Sequence, residues 1–108
     1  IGWLCLTMGI KTETIRSSSL EVEGRKSELL VGICEALGAS QYVSAQGSRG
    51  YIEEEDLFSV RNIRLDYHEY RHPEYRQQFG EFVPYLSALD LLFNEGPDSS
   101  SIVRKGRA

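Results

Sequence analysis

Gly38-Ala39-Ser40-Gln41-Tyr42-Val43-Ser44-Ala45-Gln46-Gly47-Ser48-Arg49-Gly50 is the stretch on which the fold turns. Gly38 closes a helical pattern: Leu29, Leu30, Ile33, Cys34 and Leu37 recur at i, i+1, i+4, i+5 and i+8, one face of a helix. A glycine just after the last periodic residue is a common left-handed cap. Gln41–Ser44 then reads as a short strand, and Gln46–Gly50 as a flexible loop rich in Gly and Ser. Helix, strand and loop in that order point to an α/β chain.

Downstream, Tyr51 to Val60 is expected to be helical, with Glu53, Glu54, Glu55 and Asp56 in its early turns, where the macrodipole favours negative charge. Ile63–Tyr70 alternates: Ile63, Leu65, Tyr67 and Glu69 share one face, and Arg64, Asp66, His68 and Tyr70 the other. That is a strand with one wet face. A loop through His72-Pro73 leads to a last helix over roughly Pro84–Asn94, which Gly96-Pro97 stops. Residues 97–108, rich in Ser and charge, are expected to be a flexible tail.

Upstream, residues 1–8 read as the end of a helix capped by Gly9, and Ile10–Arg16 as a further short strand followed by a Ser17-Ser18-Ser19 turn. Ile1-Gly2-Trp3 enters on an apolar pattern with no initiator Met, which suggests a truncated helix or an excised fragment. The resulting order predicts parallel βαβ units, part of a doubly wound sheet. Ligands of such sheets bind outside the carboxyl ends of the strands. Three loops fall there, 17–19, 44–50 and 68–76, and they hold every suggestive polar cluster outside the last helix.

Bulk properties narrow the function. A chain of 108 residues suits one small domain. With 12 Lys and Arg against 16 Asp and Glu it lacks the basic face of a nucleic-acid binder. Arg104, Lys105 and Arg107 make only the tail basic. No apolar run approaches the roughly 20 residues of a membrane span, and nothing resembles a signal peptide, so a cytoplasmic protein is expected. Cys5 and Cys34 lie in apolar helical patterns and read as buried free thiols.

The chemistry-bearing groups leave alternatives open. In Ser44-Ala45-Gln46-Gly47-Ser48-Arg49, backbone amides, a helix start and the guanidinium could hold a phosphate or carboxylate; the other reading is a plain connection. The loop is neither a P-loop nor a dinucleotide fingerprint, and no cofactor is assigned. His68 and His72 are four apart, but Pro73 and the alternating strand favour extended chain over a helical metal pair, so no metal is assigned. One of them could move a proton or bind substrate. Tyr67, Tyr70 and Tyr75 surround them and offer rings with polar tips that suit sugar faces or a half-buried core. Ser87, Asp90 and Asn94 share a narrow stripe on the last helix, where Asp90 either caps or lines a site. The candidates are therefore His72, His68 and Asp90 for catalysis, with Ser44, Gln46, Gly47, Ser48, Arg49, Tyr51, Tyr70 and Tyr75 for substrate.

Several of these pieces together resemble the WbqC-like family of bacterial proteins associated with O-antigen (lipopolysaccharide) and other surface-glycan gene clusters. They are Ser18-Ser19 before Gly24-Arg25-Lys26-Ser27, Leu37-Gly38-Ala39, Tyr42-Val43-Ser44, Gly47, Tyr51, His72-Pro73-Glu74-Tyr75, Phe82-Val83-Pro84 and Leu86-Ser87 with Leu89-Asp90-Leu91-Leu92-Phe93-Asn94-Glu95-Gly96. The resemblance covers residues 10–96 and implies that residues 1–96 form the C-terminal part of such an α/β domain. Ala45 stands where the family shows Gly, and the family's N-terminal half, with its Gln-Pro-Tyr-type motif, is absent, so that half would be a partner. The implied function is group transfer, of an acyl or aminoacyl unit, to a nucleotide-activated amino sugar. The alternatives are a non-catalytic partner or scaffold in glycan assembly, and a nucleotide-binding domain whose chemistry lies in the other half.

Overall fold

A computed structural model describes residues 1–53 and 56–107, with backbone alone for Tyr51 and Glu53. In chain order the elements are α1 (Gly2–Thr7), α2 (Lys26–Ala36), β1 (Gln41–Ala45), α3 (Arg49–Glu53), α4 (Leu57–Val60), β2 (Arg64–His68), α5 (Ala88–Glu95) and α6 (Ser99–Lys105). The chain divides into two compact units, Thr14–Glu69 and a second built from Ile1–Glu13 with Tyr70–Ala108.

The central unit is mixed helix and strand around a two-stranded parallel sheet. Parallel strands cannot be joined by a tight turn; here α3 and α4 lie in the connection. Val31 and Cys34 of α2, Ile52 of α3, Phe58 of α4 and Ile63 form its core. Tyr42 stacks on Phe58 with ring centroids 5.1 Å apart. Gly38 takes the left-handed conformation expected after α2, at φ 64°. The buried stripe of α2 is Ser27, Val31 and Cys34, rotated from the expected face so that Leu37 is exposed.

Several expectations are corrected. Ile10–Arg16 makes no strand: Ile10 and Ile15 have opposite parity, so the segment has no single apolar face, and both stay exposed. The helix expected over Tyr51–Val60 begins earlier and is divided into α3 and α4, since Asp56 adopts φ 44° and cannot continue a right-handed helix. Glu54 and Glu55, part of its acidic run, lie outside the described residues. With two strands rather than three, the described residues show a parallel pair and not the larger sheet.

In the second unit, Met8, Leu91, Leu92 and Ile102 form the core. The last expected helix starts late, because Tyr85 sits at φ 61° and Ser87 instead caps α5, accepting the Leu89 amide at 3.2 Å. The segment expected to be a tail is a helix, α6. Ser99 is buried and donates to the carbonyls of Gly96 (2.7 Å) and Leu91 (3.3 Å), and Ile102 packs into the core. A Ser-rich, charged composition masked those two anchors.

Candidate functional site

In the central unit, the parallel register pairs Ser44 with Tyr67 and Ala45 with His68, so both strands end at one edge. Beyond β1 the backbone makes a 3-10 turn over Gln46–Ser48 and enters α3 at Arg49. Gln46, Gly47, Arg49 and His68 are exposed there, and Ser48 is half-buried. The Arg49 guanidinium lies 4.9 Å from the Tyr67 ring centroid, a cation–π contact. Ser44 is different: it is 4% exposed, with its hydroxyl turned to the Ala45 carbonyl at 3.4 Å. A ligand outside the edge would not reach it without movement. The side chain of Tyr51 lies outside the described residues.

The remaining candidates, Tyr70, His72, Tyr75 and Asp90, belong to the second unit. Asp90 is its polar centre. It accepts from the Tyr75 hydroxyl at 2.7 Å, the Gln77 amide at 3.2 Å and the Asn94 amide at 3.3 Å. Burial and the adjoining Asp90 carboxylate raise the Tyr75 phenol above its ordinary value, so it stays a proton donor near neutral pH. Gln77 also pairs with the Val83 backbone, donating to its carbonyl (2.9 Å) and accepting from its amide (2.8 Å).

His72 sits among rings, with centroids of Tyr85, Phe82, Tyr75 and Tyr70 at 5.0, 5.9, 6.3 and 6.5 Å. Its Nε2 accepts the Tyr85 amide at 3.3 Å. The proton is therefore assigned to Nδ1, which donates to the Pro73 carbonyl at 2.9 Å. Both nitrogens serve the backbone, which fits an organiser of the loop better than a proton carrier. Tyr70 donates to the Val103 carbonyl at 3.1 Å.

The structure thus groups Gln46, Gly47, Ser48, Arg49 and His68 at one edge, and Tyr75 with Asp90 and Asn94 in the other unit. Sequence reasoning missed Gln77 and Tyr85. Gln77 reaches the Val83 backbone as well as Asp90, and a backbone partner leaves no side-chain pattern to read. Among the described residues no group of three or more His, Cys, Asp or Glu is placed to hold a metal. No helix of the described residues is long and apolar enough to cross a membrane.

Comparison with known proteins gives two matches. The profile described as the WbqC-like protein family matches residues 1–102. An uncharacterised protein of Mycobacterium tuberculosis (strain H37Rv), Rv1507c, is 37% identical over 103 residues, which are 94% of this chain and 44% of that protein. The chain therefore spans less than half the length of the curated relative it matches. No solved structure matches it significantly.

Proposed function

This chain belongs to the WbqC-like protein family, and on that premise we propose that it serves bacterial surface-glycan biosynthesis of the O-antigen type. The proposed reaction moves an acyl or aminoacyl group onto a nucleotide-activated amino sugar in the cytoplasm. One observation carries the reading. Parallel pairing of β1 and β2 brings the Gln46–Ser48 turn, Arg49 and His68 to a single carboxyl edge, the position where open α/β sheets bind ligands.

In this reading the turn amides and Arg49 hold the anionic phosphates. His68 takes the proton from the sugar amine as its nitrogen attacks the donor carbonyl. A C–N bond forms, the bond from the acyl carbon to its leaving group breaks, and the proton passes to that leaving group. The β1–β2 pair would be part of a larger doubly wound sheet, completed by polypeptide that the longer relative possesses. Fold alone does not select this chemistry.

Arg49→Ala is expected to weaken binding of a nucleotide sugar by about 1.5–3 kcal/mol, the loss of a charged hydrogen bond. His68→Gln should abolish turnover while leaving that affinity and the fold intact. Unchanged affinity in the first variant removes the phosphate role, and full turnover in the second removes the proton carrier. A non-catalytic partner in glycan assembly is the second reading. It is favoured by α1, whose Trp3 and Leu6 remain 56% and 79% exposed, as apolar contact surface for another protein would be.

A further inference from the structure

We propose that a cleft in the second unit, lined by Gln77, Gln78, Phe79, Asp90, Phe93 and Asn94 with Val83 and Leu86 beside them, binds the ring of a neutral saccharide. Its volume is about 370 Å³, toward the small end of ligand pockets, which run roughly 300–1,000 Å³. The inference goes beyond the transfer reading and uses none of its residues at the β1–β2 edge.

Three features select the ligand. Phe79 and Phe93 are each 82% exposed. Two phenyl rings left in water at the mouth of a cleft offer flat apolar faces, the complement of the C–H face of a sugar ring. Asp90 comes next. Its three protein donors are neutral, and an ionised carboxylate offers about four lone-pair sites. One site is left for a ligand hydroxyl. Asn94 and Gln78 are amides, able to donate and accept, as hydroxyl groups also do.

Charge supplies the third feature. Among the described residues no Lys or Arg lines the cleft, so a phosphate or carboxylate there would meet the Asp90 charge without a counter-ion. A neutral polyol avoids that penalty. The walls are also held in advance. Gln77 grips Val83 through two hydrogen bonds, and His72 holds the amide of Tyr85, whose φ of 61° is costly for a non-glycine residue. Such support reduces the ordering cost of binding.

The test is saturation-transfer NMR on the whole chain with free glucose, free N-acetylglucosamine and UMP as separate probes. Saturation should reach the ring protons of at least one neutral sugar. Phe93→Ala and Phe79→Ala should each weaken that sugar roughly tenfold, about 1.4 kcal/mol. Both rings are exposed, so the core survives their loss. Val60→Ser, on an exposed position of the central unit, should change nothing. No transfer to either sugar from a folded chain overturns the proposal. So does transfer unaffected by both Phe substitutions, transfer to UMP alone, or a wild-type oligomer that those substitutions dissociate. Loss of turnover in His68→Gln with sugar binding intact bears on the transfer reading alone, so the two ideas fail separately.

Discussion

Asp90 gathers a hydroxyl and two amides, but Gln77 also holds the Val83 carbonyl and Asn94 the backbone carbonyl of residue 90, so removing the carboxylate strands the Tyr75 hydroxyl. Asp90→Ala is expected to destabilise the second unit by about 1–3 kcal/mol, the cost of leaving that part-buried donor unsatisfied; urea melts followed by tyrosine fluorescence would measure it. Tyr75 makes a pH-dependent contribution with a definite sign. Its pKa is raised from an ordinary value of 10.0, first by burial and then by Asp90. The folded state therefore holds the proton longer than the unfolded chain. The associated stability is fully present below pH 10 and is lost as pH rises through the folded value. Tyr70, raised by burial, adds a loss of the same sign. Tyr75→Phe should flatten the alkaline fall in stability without abolishing it, and an unchanged slope would remove Tyr75 from the account. The Asp90–Asn94 pair was legible in the helical spacing. The engagement of His72 was not, because its partners are the Pro73 carbonyl and the Tyr85 amide, and the position of the latter depends on a left-handed residue.

At the scale of elements, α6 depends on a close approach at its end. Gly106 accepts the Arg71 amide at 2.9 Å, and a Cβ there would lie 2.5 Å from the Tyr70 ring. Gly106→Ala should cost about 1–3 kcal/mol through overpacking, read as a lower urea midpoint; wild-type stability would contradict the packing described. In the central unit Ile52 is 1% exposed. Ile52→Ala should cost about 2–5 kcal/mol, seen as a lower melting temperature. Strands β1 and β2 were legible because alternation and flanking turn residues agreed over 63–70 and short β-prone residues followed a capped helix. Over 10–16 β propensity stood alone, without a consistent apolar face. The reverse happened past residue 97. Polar composition suggested a tail, while Ser99 turned inward to cap the α5 carbonyls and Ile102 filled the core.

For the molecule as a whole, the division into two compact units was not visible in the sequence, because the second unit joins residues from both ends of the chain. Contacts between residues so far apart leave no local periodicity. The family was legible, since many short motifs spread over the chain agree with one pattern. The proposed chemistry asks that the β1–β2 edge hold an anionic, activated sugar. The direct measurement is a thermal melt of the chain with a nucleotide-activated amino sugar, for wild type and Arg49→Ala. At about 100 times the dissociation constant a bound ligand adds about 2.7 kcal/mol, which raises Tm by roughly 10 °C in a domain of this size. The account expects that rise in wild type and most of it lost at the same concentration in Arg49→Ala. A cooperative melt that no nucleotide sugar moves would contradict it.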